Sequence, residues 1–497
     1  MFLKEYILQK TQREELFYRV IHSLTLRLLR FFFLLKNGHY FRKKIIKEYL
    51  KKHEVKKLHV GSGQFHINNF LNTDIFGKIP LDITKKMPFK DETFDLIYSS
   101  HVLEHITLED FKFFMQESLR LLKRGGKQII QMPSLEKMAK VLYQNNETDK
   151  KLVLEIYKKR KHVKEKKVFA CDYINSVINL NLDHKYLYDY DLVKCISKHA
   201  GYSKVLKIPD NFDLHDEDIK NKFSEKRIHY RIWDIETETY LLEKPFLEQN
   251  IKNKNLKKAS VYNKGYIDIE LKYLKNIKFK IIKFCHYFKN AHFIRKRKIK
   301  KYLKIYKIKK LHLVYNNQYL NGFLNSSILG KIPIDISKKL PFKDKTFDLI
   351  YSNQIIEKLH FRDLKRFLRD SYRILKENGL HIIQTISFEK LFKSLYLDKD
   401  NKNKEIILEN YKRKNNLKKT EVFASNVIND IINTSYGFNY LYDFDLIYYL
   451  SKNAGFRKIY KSNDNNSVPD EVIKRSLTDY PDYMNVITET YFLQKLS

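Results

Sequence analysis

Short apolar runs alternate with stretches of helical periodicity along the first half of the chain. KKLHV (56–60) and FDLIYSS (94–100) are strand-like runs that stop at glycine or polar residues. Between FDLIYSS and the next strand-like run, KQIIQMP (127–133), apolar residues recur at helical spacing after Thr107, a predicted N-cap. ETETYLL (236–242) is a predicted late strand. This strand–helix rhythm predicts an α/β fold with a mostly parallel, doubly wound sheet.

The pattern occurs twice. GKIPLDITKKMPFKDETFDLIYS (77–99) aligns without a gap with GKIPIDISKKLPFKDKTFDLIYS (330–352). After one inserted residue, YLYDYDLVKCISKHAGY (186–202) aligns with YLYDFDLIYYLSKNAGF (440–456). A repeat of this length predicts two whole domains in tandem and excludes a solenoid of short units.

The repeat sets the predicted domain bounds. The first repeat is 1–244, with basic amphipathic N-terminal helices over about 1–55. A polar, Lys- and Asn-rich linker follows at 245–270, and the second repeat is 271–497.

Composition excludes several classes of protein. With 43% apolar residues the chain can bury large cores, which excludes global disorder. Three cysteines cannot form a disulfide framework, and no Cys-x-x-Cys pair indicates a zinc or redox site, so a reducing, cytoplasmic compartment is expected. The apolar stretch 24–35 is about half the ~20 residues that a membrane span needs and contains two arginines.

The net charge of +38 has two interpretations. Such a charge is typical of proteins that bind a polyanion or an anionic membrane surface. The joint abundance of Lys, Ile, Asn, Phe and Tyr also fits a codon-composition bias with solvated basic faces. Because the charge is spread over both repeats, a nucleic-acid partner is disfavoured, and peripheral contact with the inner membrane surface is the alternative retained.

The candidate ligand site lies at the carboxyl ends of the first strands, where open α/β sheets bind ligands. Gly61-Ser62-Gly63 follows the first run, and glycines let a ligand approach the backbone. Asp74 and Asp82 end the next two apolar stretches, and such acceptors suit ribose hydroxyls and adenine donor groups. A dinucleotide fingerprint needs a third glycine and an acid farther along the chain, which disfavours NAD.

These residues resemble class I S-adenosyl-L-methionine (SAM)-dependent methyltransferases with LNVGSG and HVLEH motifs. The matching elements read LHVGSGQ, NFLNTDI, LDITKKMPFKDETFDLIYSSHVLEHI and RLLKRGG, and they run from about Leu58 to Pro133. The resemblance implies two tandem Rossmann-like domains and SAM as the cofactor. It further implies that Gly61, Ser62 and Gly63 face the methionine part of SAM. The remaining implied roles are ribose binding by Asp74, adenine binding by Asp82 with Ile83, and a border to the methyl donor formed by Ser100 or His101.

The HVLEH segment contains the candidate catalytic residues His101, Glu104 and His105, which are expected at a strand end and on the first turn of the next helix. Methyl transfer to a hydroxyl needs an aligned acceptor and a base, and histidine titrates in the suitable range. Glu104 and His105 could instead serve only as local caps. A divalent-metal site that adds His184 is a weaker alternative, so no metal is expected.

The second repeat is an internal control. Gly61, Ser62 and Gly63 align with Val314, Tyr315 and Asn316, and Asp74 aligns with Ser327. His101, His105 and His184 align with Gln354, Lys358 and Phe438. The second domain is therefore predicted to be a methyltransferase fold without a cofactor site. Asp82 persists as Asp335, which indicates that this acid could be structural in both repeats.

The sequence thus predicts an enzyme, a SAM-dependent methyltransferase whose first domain acts on a small molecule or glycan, at a hydroxyl, with a non-catalytic second domain. An RNA- or polyanion-directed methyltransferase and a non-catalytic interaction scaffold are the alternatives.

Overall fold

The computed structural model describes most of both repeats: residues 39–144, 147–160, 167–178, 184–209, 216–224, 235–246, 292–314, 318–327, 332–417, 420–433, 440–462, 467–478 and 482–496. The stretch 24–35 and nearly all of the predicted linker lie outside the described residues. Among the described helices, none combines the length and apolar character needed to cross a membrane.

The described elements of the first repeat alternate as predicted. Its strands are β1 Lys57–Val60, β2 Phe70–Thr73, β3 Phe94–Ser100, β4 Leu122–Pro133, β5 Lys204–Ile208 and β6 Thr237–Glu243. Its helices are α1 His39–Lys52, α2 Leu108–Leu121, α3 Leu135–Tyr143, α4 Glu147–Arg160, α5 Ala170–Ile178, α6 Tyr190–Ala200 and α7 Glu217–Ser224. A short 3₁₀ helix spans Leu103–His105.

The described elements of the second repeat follow the same order. Its strands are β7 Lys310–Val314, β8 Phe323–Ser326, β9 Phe347–Asn353, β10 Leu375–Ile386, β11 Lys458–Ser462 and β12 Thr488–Gln494. Its helices are α8 His292–Ile305, α9 Phe361–Ile374, α10 Phe388–Phe392, α11 Lys402–Lys414, α12 Ala424–Asn433, α13 Phe444–Ala454, α14 Glu471–Thr478 and α15 Asp482–Ile487. A 3₁₀ helix spans Ile356–Lys358, and a π-helical turn spans Lys393–Leu397.

Each repeat contains a six-stranded mixed sheet. The first has the order β2-β1-β3-β4-β6-β5, and the second has the equivalent order β8-β7-β9-β10-β12-β11. The first four strands of each order are parallel, and β6 and β12 run antiparallel to both neighbours. This confirms two tandem Rossmann-like domains. The predicted third apolar strand before Asp82 is reduced to a single bridge between Asp74 and Pro80.

Local sequence signals account for the central elements. Phe94, Ile97 and Tyr98 of β3 are fully buried, as expected for a central parallel strand that is covered on both faces. Thr107 caps α2 as predicted: its side chain accepts from the Asp110 backbone N–H, and the Asp110 carboxylate accepts from the Thr107 N–H in return. β3 and α2 therefore place the HVLEH segment at the carboxyl edge of the sheet.

The two repeats share their buried polar framework. The His59 Nδ1 and Asn72 Oδ1 atoms are 2.9 Å apart, and so are those of His312 and Asn325. Arg120 of α2 donates to the Phe89 carbonyl at 3.0 Å, and the aligned Arg373 of α9 donates to the Phe342 carbonyl at 2.8 Å. The differences between the repeats at the carboxyl edge of the sheet, where the candidate ligand site lies, are therefore local substitutions on a common scaffold.

The chain folds into two units that do not follow the repeat boundary. Unit 1 is 1–133 with 190–256, and unit 2 is 134–189 with 257–497. Residues 134–189, which belong to the first repeat in sequence, thus pack with the second repeat. The predicted division into 1–244, 245–270 and 271–497 describes the repeats in the sequence, and as a set of domain bounds it stays a prediction.

Reciprocal hydrogen bonds hold this segment in unit 2. Asn175 in α5 donates to the Leu441 carbonyl at 2.7 Å and accepts from the Leu441 N–H at 3.2 Å. Asn429 in α12 does the same with Leu187, at 2.7 and 3.1 Å. The Asp443 carboxylate accepts from the Cys171 N–H at 2.9 Å. Within unit 2, the segment 134–189 and the second repeat therefore supply matched donors and acceptors to each other, as in a two-fold symmetric interface. These two parts are called the halves of unit 2 below.

Candidate active site

The chain leaves β1 at Gly61 in a left-handed turn. Gly61 and Gly63 have φ angles of +69° and +48°, a region that glycine occupies without strain. A Cβ atom on Gly61 would lie 2.3 Å from Val102 Cγ2, so a larger residue does not fit this backbone. In the second repeat β7 runs one residue farther, and the aligned Val314 pairs with Asn353. The glycine turn is therefore specific to the first repeat.

Asp74, at the end of β2, faces this turn. Its Oδ2 accepts from the Gly63 N–H at 2.9 Å, and its Oδ1 accepts from the Phe76 N–H at 3.0 Å. A carboxylate has about four acceptor positions, so it can also accept from ligand hydroxyls. Beyond Gly63 and its two chain neighbours, no described heavy atom lies within 4 Å of a Cβ built on Gly63, which leaves room for a ligand beside the carboxylate. This arrangement fits the SAM site that the sequence resemblance implies.

The other predicted cofactor residues have different surroundings. Ser62 is 4% exposed, and its N–H donates to the Thr73 carbonyl at 2.9 Å. Ile83 is buried, and Ser100 is the half-buried last residue of β3. Their roles toward a cofactor stay predictions.

Asp82 closes a turn that both repeats contain. Its Oδ1 accepts from the Thr84 hydroxyl at 2.7 Å and from the Thr84 N–H at 3.2 Å. Asp335 makes the same two contacts with Ser337, at 2.6 and 3.1 Å. The turn explains why this acid persists in the second repeat, and adenine binding by Asp82 stays a prediction.

His101 follows β3 directly and has a φ of +53°. Its Nδ1 lies 3.2 Å from Glu104 Oε1, and its Nε2 lies 3.0 Å from Thr237 Oγ1. A proton on Nδ1 would face this carboxylate and would leave Nε2, beside the Thr237 hydroxyl, as the basic atom of the ring. The dyad of His101 and Glu104 is thus a candidate general base.

The buried carboxylate has different neighbours in the two repeats. Glu357, the counterpart of Glu104, accepts from the Thr385 hydroxyl at 2.7 Å and from the next backbone N–H at 2.9 Å. Burial raises the pKa of Glu357. The aligned residues in the first repeat are Met132, which has no side-chain hydroxyl, and Pro133, which has no backbone N–H. In the first repeat the carboxylate instead meets the imidazole of His101.

His101 directly follows the end of β3, and Glu104 and His105 lie in a 3₁₀ helix and not on the first turn of a regular α-helix. His101 precedes the 3₁₀ helix that contains Glu104 and His105, and α2 begins only at Leu108. The local reason is the left-handed backbone at His101, which interrupts any regular helix. His105 lies half-buried at the end of the 3₁₀ helix, where its N–H donates to the Val102 carbonyl at 3.1 Å.

His184 belongs to unit 2. Its Nδ1 lies 2.9 Å from the Val177 carbonyl, so that nitrogen carries the proton. A metal site that includes His184 stays a hypothesis.

Thr237 was not predicted from the sequence. It opens β6, and its aligned residue Thr488 donates instead to the Met484 carbonyl at 2.7 Å. Because both repeats carry threonine here, the alignment contained no signal that only one of them contacts a histidine.

His59 lies behind the glycine turn without being a candidate base. It is 1% exposed, and this burial lowers its pKa to about 4. The imidazole is therefore neutral near pH 7 and serves as a buried link to Asn72. The equivalent His312, also with a pKa lowered to about 4 by burial, indicates a framework role.

Comparisons with known proteins agree with this fold. Residues 68–130 and 325–383, one segment in each repeat, match the family model described as a methyltransferase domain. No curated protein sequence matches the chain.

Solved structures similar to this chain include three methyltransferases. A SAM-dependent methyltransferase from Archaeoglobus fulgidus is 15% identical, with 43% of this chain and 99% of that one covered and a TM-score of 0.24. Haemonchus contortus phosphoethanolamine N-methyltransferase 2 is 12% identical, with 92% and 98% covered and a TM-score of 0.22. The CurJ carbon methyltransferase is 14% identical, with 41% of this chain covered and a TM-score of 0.22; this chain spans 52% of its length. Likenesses at this level carry no argument about function.

Proposed function

We propose that the first repeat transfers a methyl group from SAM to a hydroxyl of a small molecule or glycan, and that the second repeat is not catalytic. The methyltransferase-domain matches and the Rossmann-like sheets support a SAM-dependent methyltransferase. The observation that carries the rest is the contrast between the two repeats at one edge of an otherwise shared scaffold.

The cofactor side of the site consists of the glycine turn and Asp74. Bound SAM supplies an electrophilic methyl group on a sulfonium sulfur. The turn at Gly61 and Gly63 gives the cofactor access to the backbone, and the Asp74 carboxylate accepts from ribose hydroxyls. The Asp74 hydrogen bond to the Gly63 N–H fixes the carboxylate against the turn, so that both form one preorganised surface.

The acceptor side is the His101 dyad. Glu104 holds the proton on Nδ1, which leaves Nε2 to take the proton of an acceptor hydroxyl as that oxygen is methylated. Thr237 occupies the position beside Nε2 and keeps the imidazole plane fixed until the acceptor replaces it. A neutral imidazole base suits a hydroxyl acceptor because such an acceptor loses a proton on methylation.

The second repeat lacks each of these parts. Val314 continues the strand where the first repeat turns, Ser327 replaces the ribose acceptor, and Gln354 replaces the imidazole. Gln354 keeps the left-handed φ, at +46°, so the backbone geometry persists without a base.

Isothermal titration of the full chain with SAM tests the proposal. We expect one site per chain, lost in Gly61→Val, because a side chain on that residue would overlap Val102. The matched control, Val314→Ala in the second repeat, should leave the stoichiometry and affinity unchanged.

Two sites per chain would contradict the inactive second repeat. No binding, or binding that Gly61→Val leaves intact, would refute the assigned site. SAM binding without methyl transfer to any component of a cell extract would favour the interaction scaffold, and transfer mainly to RNA would favour the RNA-directed alternative.

A further inference from the structure

Positive charge is concentrated on one equivalent helix of each repeat. The sequence of α1, HYFRKKIIKEYLKK, has six basic residues and one acidic residue. That of α8, HFIRKRKIKKYLKI, has seven basic residues and no acidic one. In α2, by contrast, three acidic residues outnumber two basic ones. A composition bias spread over the whole chain does not account for this concentration.

The inner face of each helix is fixed by the same contacts. Ile46 and Tyr49 of α1 are buried, and the Tyr49 hydroxyl donates to the Lys57 carbonyl at 2.8 Å. Ile299 and Tyr302 of α8 are buried in the same way, with an equivalent hydroxyl bond at 2.8 Å. The rotation of each helix about its axis is therefore set by its own unit.

The opposite faces carry the lysines. Lys43, Lys47 and Lys51 in α1 are exposed at successive i, i+4 positions, as are the aligned Lys296, Lys300 and Lys304 in α8. Like charges at this spacing destabilise a helix, and neither helix has an acidic residue in its first turn to offset the dipole. A negatively charged surface next to these faces would relieve both costs.

Exposed aliphatic side chains accompany the lysines. Ile45 in α1 is 36% exposed, and Val55 just after α1 is 55% exposed. After α8, the aligned Ile308 is 60% exposed, and Ile305 is 62% exposed. On α1 an open cleft combines basic and apolar lining residues, namely Arg42, Lys43, Ile46, Lys47, Leu50 and Pro88. Tyr306, which lies between Ile305 and Ile308, is 40% exposed and stacks on Tyr302, and the other exposed apolar side chains named here are aliphatic. Basic side chains with mainly aliphatic neighbours match the headgroup and acyl boundary of a bilayer, whereas single-stranded nucleic acid is bound on aromatic stacking platforms.

We propose that α1 and α8 are peripheral docking surfaces for membranes rich in anionic phospholipids. Each lysine near such a surface strengthens binding by about fivefold at low salt. None of the residues that make up this surface belongs to the glycine turn or to the His101 dyad, so membrane docking is a property distinct from the proposed methyl transfer and does not depend on it.

Co-sedimentation of the full chain with vesicles tests the proposal. We expect binding to phosphatidylcholine vesicles that contain roughly one third phosphatidylglycerol, little binding to pure phosphatidylcholine, and a steep loss of binding as salt rises and the Debye length falls. Charge reversal at the six lysines (K43E, K47E, K51E, K296E, K300E and K304E) should lower the partition coefficient at least a hundredfold.

A matched control reverses three exposed basic residues of α9 (R362E, K365E and R369E), and it should change binding less than the same number of reversals in α8. Circular dichroism verifies that each variant is folded. Equal binding to neutral vesicles, or unchanged binding after the six reversals, would overturn the proposal. Displacement of the protein from vesicles by an equal charge of homopolymer RNA would assign the surface to nucleic acid instead.

Discussion

Truncation of the reciprocal asparagines gives a quantitative test of how the first repeat is held in unit 2. In Asn429→Ala, the Leu187 carbonyl and N–H lose their partners inside the protein, since Asn429 bonds both at 2.7 and 3.1 Å. Each buried polar group left unpaired costs about 1–3 kcal/mol, so for two such groups we expect about 2–6 kcal/mol in total. Asn175→Ala removes the mirrored bonds to Leu441 and should cost the same within about 1 kcal/mol.

Hydrogen exchange measured by mass spectrometry is the suitable assay, because it reports local opening rather than unfolding of the whole chain. A cost of about 2–6 kcal/mol corresponds to exchange that is roughly 30- to 20,000-fold faster. The acceleration should appear in peptides covering both 168–178 and 424–433 in either variant, because each asparagine bridges the two halves.

The control is Asn68→Ala, a substitution at an exposed loop position, which should change exchange less than about twofold. Acceleration confined to the helix that carries the substitution would refute the reasoning, because it would mean that the two halves open independently. A cost below about 1 kcal/mol in either variant would also refute it.

Two further predictions concern the imidazoles. His101→Gln places in the first repeat the residue that the second repeat tolerates as Gln354 at the same left-handed backbone, so we expect intact folding and unchanged SAM affinity with about 10²- to 10⁴-fold slower methyl transfer from labelled SAM. A smaller loss would exclude His101 as the base. Burial lowers the pKa of His59 and of His312 from 6.5 to about 4, so the unfolded state binds more protons between these values and stability should fall as pH drops through that window. Each histidine contributes about 3 kcal/mol of that loss, and His59→Asn or His312→Asn should flatten the urea-unfolding profile between pH 4 and 6.5 accordingly; an unchanged profile would contradict the buried neutral state.

Much of the fold could be predicted because its signals are local. The Thr107 cap depends on residues three positions apart, and β3 is a run of adjacent apolar residues. The repeat gave each element a second sequence pattern. It also indicated that Asp82 could be structural in both copies, and Asp82 and Asp335 make equivalent turn contacts.

The remaining features depend on contacts between residues far apart in sequence. The approach of Thr237 to His101 joins positions separated by 136 residues, and nothing near either residue indicates it. The packing of 134–189 in unit 2 likewise depends on Asn175 and Asn429, which look like ordinary polar helix residues in the sequence. The left-handed backbone at His101 was also missed, because only the folded strand end imposes it.

The reciprocal bonds of unit 2 also bear on how such a chain can diverge. In a symmetric homodimer every substitution appears twice across the axis, so a change must suit both of its copies at once. A tandem chain removes that restriction. Asp172 accepts from the Tyr440 hydroxyl, whereas the aligned Asn426 donates to the Tyr186 hydroxyl, so the same position already reverses its polarity between halves. Covalent linkage keeps the partners at a fixed ratio and a high local concentration. One repeat of a tandem chain can therefore lose its catalytic residues while its folded surface remains under selection, because the other repeat packs against it.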